Sequence, residues 1–148
     1  MMGTVRGVCH SMTKIIAIAT MAMMPAAMAD CFHDASVRYG PPEKLLKAIA
    51  RVESSNRPRI INYNKDGSYD IGIMQVNSRW LLKLGRWGLD KNSLLDACTN
   101  INVGAWILAQ NIQRMGYNWG AIGAYNAAST SRRYLYERRV SNALADLN

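Results

Sequence analysis

The sequence predicts a mainly α-helical domain with one small β-hairpin, and three observations support this fold class. Turn-forming Asn, Asp, Gly and Pro are concentrated in residues 55–72, whereas most of the remaining chain has helical periodicity. The clearest amphipathic stripe is Tyr136, Val140, Leu144 and Leu147. The 148 residues, of which 49% are apolar and 19% charged, fit one globular domain.

Two helices precede the turn-rich segment. The first is predicted from Cys31 to Tyr39, because Gly40 ends the pattern. The second starts after Pro41 and Pro42 and runs to about Glu53.

Residues 64–67, Asn-Lys-Asp-Gly, predict a tight turn between the short strands 60–61 and 69–71. Helix is predicted to resume near Gln75 and to continue to Gly85. A long helix over residues 100–115 has apolar residues on nearly every side, which is typical of a buried central helix. A short helix over 119–126 and the C-terminal stripe complete the domain.

Residues 1–29 predict a cleavable secretory signal. Arg6 and Lys14 precede an apolar run from Ile15 to Met28, which ends in Ala27-Met28-Ala29. The rival interpretation is a membrane anchor, but a spanning helix needs roughly 20 apolar residues and this run is shorter. Met12 is an alternative start that still leaves a complete signal.

Cleavage would leave residues 30–148 as one domain in the periplasm or outside the cell. This part has 16 basic and 10 acidic residues, hence a formal charge of +6, and two cysteines, Cys31 and Cys98. In an oxidising compartment such a pair predicts a disulfide, and two free buried thiols are the alternative. A basic exported protein meets cell wall and membrane surfaces before nucleic acid. The arginine cluster 132–139 is interpreted as a solvated helix face.

Glu53 is the candidate catalytic acid. It follows Ile49 by four residues and Leu46 by seven, so it shares their apolar helix face. Burial raises the pKa of a carboxyl group and keeps it protonated near neutral pH, as a general acid requires. Taken alone, a Glu at a helix end is more often an exposed charge.

Three sequence blocks occur in order: Glu53-Ser54, then residues 72–75 (Gly-Ile-Met-Gln), then residues 124–126 (Ala-Tyr-Asn). Together they resemble the lytic transglycosylases of the soluble-transglycosylase type, over most of residues 31–140. The resemblance implies an α+β lysozyme-like fold. Two positions depart from the family pattern: Asn56 replaces an aromatic residue and Ala128 replaces a glycine.

The segment from Asn62 to Trp80 resembles the active-site hairpin of the animal C-type lysozymes, in which an Asp follows the catalytic Glu by 17 residues. Here Asp70 follows Glu53 by that interval. Small transglycosylases of type III and type IV secretion systems and of conjugative pili resemble the chain best. They share the short exported domain, the N-terminal Cys and this Asp.

The resemblance implies that Glu53 protonates the glycosidic oxygen between N-acetylmuramic acid and N-acetylglucosamine. The same group then accepts a proton from the muramic acid 6-hydroxyl, which closes a 1,6-anhydro ring. Asp70 would stabilise the positive charge at the sugar. Its alternative role is to accept hydrogen bonds from backbone amides in the turn.

The resemblance also implies substrate-binding residues. Gln75 would face the sugar or start a helix, and Tyr125 would hold Glu53 through its hydroxyl or belong to the core. Asn126 would contact substrate or cap a helix. Weaker candidates for lining the groove are Ser54, Asn62 and Asn77.

No cofactor or metal is predicted, because His33 stands alone and no His/Cys cluster has metal-ligand spacing. The expected partners are peptidoglycan and a secretion or pilus apparatus, with no nucleic acid, no membrane span after cleavage, and a monomeric state. A hydrolytic lysozyme and a non-catalytic peptidoglycan-binding protein remain as alternatives.

Overall fold

A computed structural model describes residues 26–126 and 129–147, and in them it confirms the mainly helical fold with a small β element. The helices are α1 (Ala26–Tyr39), α2 (Glu43–Ser54), α3 (Leu81–Leu84), α4 (Ala97–Met115), α5 (Trp119–Gly123) and α6 (Thr130–Ala145). The strands are β1 (Ile61–Tyr63), β2 (Tyr69–Ile71) and β3 (Val76–Asn77). Short 3₁₀ turns cover Ser78–Trp80, Gly85–Trp87 and Ser93–Leu95.

The predicted secretory signal lies mostly outside the described residues, since these begin at Ala26. The first helix also begins there, five residues before the predicted start at Cys31. Within the described part of the chain, no helix combines the length and the apolar character needed to cross a membrane.

The central helix α4 organises the core. Its N-terminus is capped by Asp96, whose carboxylate accepts a 2.8 Å hydrogen bond from the Thr99 amide. The helix packs against α1 and α5, and α2 packs against α6. Ile101 and Leu108 of α4 are fully buried in one cluster with Phe32 of α1 and with apolar residues of α2. Helix α2, which carries Glu53 near its end, therefore rests on a close-packed support.

The predicted disulfide between Cys31 and Cys98 is present. It joins α1 to the first turn of α4. The two Cα atoms are 5.2 Å apart, and the residues are 67 positions apart in sequence. Closing a loop of that length lowers the entropy of the unfolded chain, a stabilisation of about 4 kcal/mol in the chain-entropy model.

After Asp70 the structure differs from the elements that the sequence predicts. The helix predicted near Gln75 is wrong, because Val76 and Asn77 instead pair with Ile71 and Asp70 as a third antiparallel strand. Helical structure resumes only at Ser78. The edge of β2 offers unpaired backbone groups, and satisfying these groups outweighs the weak periodicity of so short a segment.

The two C-terminal helices are shorter than predicted. Helix α5 ends at Gly123 rather than at Asn126. In α6, Tyr136 and Val140 are buried as expected, but the helix ends at Ala145 and Leu147 remains 37% exposed. The apolar stripe therefore covers one turn less than the sequence pattern indicated.

Candidate active site

A cavity of about 730 Å³ lies between the end of α2, the sheet and the segment that follows α5. Six of the eight predicted site residues line it: Glu53, Asp70, Gln75, Asn77, Tyr125 and Asn126. Ser54 and Asn62 are not on its wall. The three blocks that are far apart in sequence therefore meet in one cleft.

Ser54 has a structural position. Its side chain is only 2% exposed, and its hydroxyl lies 2.8 Å from the Ile73 carbonyl and 3.1 Å from the Ala50 carbonyl. The helix ends immediately afterwards, because Ser55 and Asn56 adopt left-handed backbone angles with φ of 54° and 62°. Asn tolerates that conformation better than an aromatic residue does, which gives Asn56 a local rationale.

The Glu53 carboxyl group is buried at the wall of the cleft. Burial raises its pKa from 4.5 to about 7, against opposing effects of Tyr136, Arg139 and Asn126 and with a small further increase from Asp70. At neutral pH the carboxyl group therefore exists in both protonation states. Such a group can donate a proton in one step and accept one in the next.

Two tyrosines flank Glu53, and their roles differ from the sequence-based expectation. The Tyr125 hydroxyl donates a 2.8 Å hydrogen bond to the Met74 carbonyl, so its proton is not directed at Glu53. Tyr136 of α6 lies against the carboxyl group instead, although Glu53 Oε1 and the Tyr136 hydroxyl do not meet in normal hydrogen-bond geometry. Burial raises the pKa of both phenols well above 10, so both remain neutral.

Arg139 is the cation beside this acid. Its guanidinium donates a 2.9 Å hydrogen bond to the Val52 carbonyl, one residue before Glu53. The side chain is exposed, so water screens its charge and leaves burial as the dominant influence on Glu53.

Glu53→Gln should change stability in a pH-dependent manner. The native state retains the Glu53 proton up to about pH 7, whereas the unfolded chain releases it near pH 4.5. The native state therefore binds more protons in this window, and the free energy of unfolding falls as the pH rises through it. We expect Glu53→Gln to be more stable than the wild type by about 3 kcal/mol at pH 8, with little such gain at pH 4. Urea denaturation at both pH values measures the difference.

Glu43→Gln is the matched control in the same helix. The Glu43 carboxylate accepts a hydrogen bond from Lys47, which holds its pKa below 4.5. The Lys47 contact therefore stabilises the native state at pH values above the unfolded-state pKa of Glu43, and this stabilisation is lost as the pH falls. Glu43→Gln should for this reason be less stable than the wild type at pH 8. Equal pH dependence in the two variants would contradict a buried, proton-retaining Glu53.

Asp70 is held in position by two side-chain amides. Asn77 Nδ2 donates to its Oδ1 at 2.7 Å, and Asn64 Nδ2 donates to its Oδ2 at 2.9 Å. Its hydrogen bonds therefore come from side chains and not from the backbone amides considered as the alternative. The two donors fix the direction in which the carboxyl group faces the cleft. Asn64 was missed because its segment was interpreted only as a turn.

Gln75 lines the cleft in a strained conformation. Its φ is 50°, in the left-handed region that non-glycine residues seldom occupy. Gln75 Nε2 donates to the Gly72 carbonyl at 2.8 Å, and its Oε1 accepts from Asn62 Nδ2 at 2.7 Å. Asn62 therefore orients Gln75 from outside the cavity. Backbone strain of this kind is concentrated at functional sites.

A fully buried side chain of α4, Asn100, fixes the loop that carries Gln75, and the sequence analysis did not single it out. Its Nδ2 donates to the carbonyls of Ile71 at 2.8 Å and Leu94 at 2.9 Å. Its Oδ1 accepts from the Met74 amide at 2.8 Å. Its signal in the sequence is weak, because Asn100 is one of several polar residues in the long helix α4.

Two glycines allow the backbones to approach closely around this amide. Gly72 has a φ of 76°, and a Cβ there would lie 2.3 Å from Asn100 Nδ2. A Cβ on Gly104 would lie 2.7 Å from the Met74 Cβ and 2.9 Å from the Tyr125 hydroxyl. Larger residues at either position would move the loop away from α4.

The described residues contain no group of three or more His, Cys, Asp or Glu side chains placed to hold a metal ion. His33 Nδ1 lies 3.3 Å from Glu43 Oε2. The polar side chains that line the cleft are carboxyl, amide, phenol and hydroxyl groups together with the cations Lys65, Arg79 and Arg132.

Comparison with known proteins agrees with this arrangement. The model of the transglycosylase SLT domain matches residues 30–143. Invasion protein IagB of Salmonella typhimurium (strain SL1344) is 39% identical over 119 residues, which cover 80% of this chain and 74% of that protein. Protein IpgF of Shigella flexneri is 33% identical over 123 residues, which cover 82% of this chain and 81% of that protein. The chain therefore belongs to the transglycosylase SLT domain family.

Proposed function

We propose that this protein is a lytic transglycosylase that cleaves the β-1,4 bond between N-acetylmuramic acid and N-acetylglucosamine and leaves a 1,6-anhydromuramic acid end. The observation that carries the proposal is the buried Glu53 carboxyl group, with a pKa of about 7, at the wall of a cleft of about 730 Å³. Membership of the transglycosylase SLT domain family supports the substrate class.

In the first step, protonated Glu53 donates its proton to the glycosidic oxygen, and the bond from that oxygen to C1 of the muramic acid breaks. The positive charge that develops at C1 and the ring oxygen is stabilised by the Asp70 carboxylate. The muramic acid 6-hydroxyl then attacks C1, and the Glu53 carboxylate accepts the hydroxyl proton. The acid is regenerated, and no water is consumed.

The second candidate is a hydrolytic lysozyme, and the fixed position of Asp70 favours it. Asn64 and Asn77 hold this carboxylate on the same cleft as Glu53. Two carboxyl groups on one cleft are also the arrangement of retaining glycosidases. In the first candidate the 6-hydroxyl ends on C1. In the second, water does so, with Asp70 acting as nucleophile or as charge stabiliser.

Mass spectrometry of digested sacculi distinguishes the two. We expect products that carry anhydromuramic ends, which are lighter by one water molecule than hydrolytic products. A digest in H₂¹⁸O gives an independent measurement, because hydrolysis places the label at the new reducing end and transglycosylation does not. Labelled reducing ends throughout would replace the first candidate by the second.

We further propose that the protein is exported by the signal in residues 1–29 and opens the wall locally for a secretion or pilus apparatus. The relative named an invasion protein supports this context. A protein that binds peptidoglycan without cleaving it is a weaker candidate, because Glu53, Asp70 and Gln75 all line the cleft.

A further inference from the structure

A second groove, of about 570 Å³, is distinct from the cavity that Glu53 lines. Its walls are the end of α1, the segment around Gly85–Trp87, and α4, and it shares no lining residue with the catalytic cleft. Three of its lining side chains are aromatic: Tyr39, Trp87 and Trp106. Trp87 is 58% exposed, which is unusual for so large an apolar side chain.

Three tryptophans connect this groove with the catalytic cleft. Trp80 lines the cleft, and its ring packs edge-on against Trp106 at a centroid distance of 5.4 Å. Trp106 in turn packs against Trp87 at 5.3 Å. The Lys83 ammonium lies over the Trp106 ring at 4.6 Å and over Trp80 at 5.5 Å. Three packed rings therefore link a residue that lines the cleft to two residues that line the groove.

Two walls of the groove are joined covalently. Cys98 forms part of its lining, and the Cys31–Cys98 disulfide joins α1 and α4, which supply two of its walls. The disulfide restricts the relative movement of these two walls, which lowers the entropy cost of ordering them when a ligand binds.

The polar groups of the groove favour a neutral or anionic ligand that forms hydrogen bonds. Arg38 is the charged residue among its described lining side chains, and none of them is acidic. Asn102 donates one amide proton to the Cys98 carbonyl at 2.9 Å, and this bond leaves its Oδ1 as an acceptor. Exposed indole surface beside amide and guanidinium groups suits an N-acetylated sugar, which has apolar ring faces, acetamide groups and hydroxyls.

We propose that this groove, defined by Arg38, Trp87, Asn102 and Trp106, is a second binding site for the N-acetylated glycan strands of peptidoglycan, separate from the site of cleavage. The inference rests on the proposed function for its substrate class. A polymer held at the groove raises the effective concentration of neighbouring bonds at the cleft. A glycan fragment that is short enough to fill only the cleft does not reach the groove, so the groove does not affect its cleavage.

Trp87→Ala tests the proposal in two assays. We expect its affinity for intact sacculi, measured by co-sedimentation in a Glu53→Gln background, to fall about five- to tenfold. With Glu53 intact, cleavage of a short soluble glycan fragment should be unchanged. Trp87→Tyr keeps an aromatic surface and should retain most of the affinity. Tyr134→Ala is the matched control, because Tyr134 is 59% exposed on α6 and lines neither site.

The outcomes separate this inference from the function on which it rests. If the wild type cleaves the fragment and Trp87→Ala binds sacculi as tightly as Tyr134→Ala does, the groove is not a glycan site. If neither protein cleaves any glycan, the proposed function fails, whereas the sedimentation assay still reports on the groove. Thermal unfolding of Trp87→Ala near the wild-type temperature excludes misfolding as the cause of lost binding.

Discussion

Replacing Glu53 with Gln is expected to reduce glycan cleavage by at least about a thousandfold while binding to sacculi remains near the wild-type level. Gln preserves the shape of the side chain but has no acidic proton to donate to the glycosidic oxygen and no carboxylate to accept one. General acid–base groups typically contribute about 10²–10⁴ in rate, and here one residue performs both transfers. Release of soluble muropeptides, together with co-sedimentation, measures the two properties.

Two further variants make this result specific. Glu43→Gln is the same substitution in the same helix, outside the cleft, and should cleave at the normal rate. Asp70→Asn keeps two amide neighbours and removes one charge. It should reduce the rate less than Glu53→Gln does if the 6-hydroxyl is the attacking group. A Glu53→Gln protein that clears sacculi at the wild-type rate would refute the assigned chemistry.

The pH dependence of cleavage follows from the same group. Because cleavage begins with the protonated form of Glu53, the rate should decline as the pH rises above about 7.

Asn100→Ala is expected to have the largest effect on stability, a loss of about 3–5 kcal/mol in the free energy of unfolding. The substitution removes three hydrogen bonds and leaves the carbonyls of Ile71 and Leu94 and the amide of Met74 without their partner in the core. Each buried backbone group left unsatisfied costs about 1–3 kcal/mol. Urea denaturation with the disulfide intact measures the loss.

Asn102→Ala controls for the loss of an asparagine from the same helix. The Asn102 side chain donates a hydrogen bond to the Cys98 carbonyl from a partly buried position. We therefore expect Asn102→Ala to lower the free energy of unfolding by about 1 kcal/mol. Asn100→Asp is a second variant, which keeps the acceptor for Met74 but loses both donated bonds. Equal costs for Asn100→Ala and Asn102→Ala would show that the loop around Gln75 does not depend on Asn100.

Local sequence predicted the larger helices well and the loop around Gln75 poorly. Helix α2 has clear signals at its start, and its periodicity places Glu53 on the apolar face. The third strand has only two residues, Val76 and Asn77. It exists because β2 offers backbone partners, and that information is distant in sequence.

In the site, too, some features were predictable from local sequence and others depended on contacts between distant residues. The spacing of the three blocks and the step from Glu53 to Asp70 predicted which residues would line the cleft, and six of the eight do. The hydrogen-bond partners were not predictable: Tyr125 bonds Met74, and Tyr136 takes the position beside Glu53. A sequence pattern gives the side chains that meet, but the direction of each hydroxyl depends on the packing around it.

The sequence by itself determined the helical fold, the pairing of Cys31 with Cys98 and the identity of the buried acid, because each depends on periodicity, compartment chemistry or a specific motif. Only the tertiary structure decided how the acid is tuned and supported. Tyr136 of α6 lies beside Glu53, and Asn100 of α4 holds the loop of Gln75, in both cases across long stretches of chain. Such contacts follow from close packing of the whole core, which no local pattern encodes.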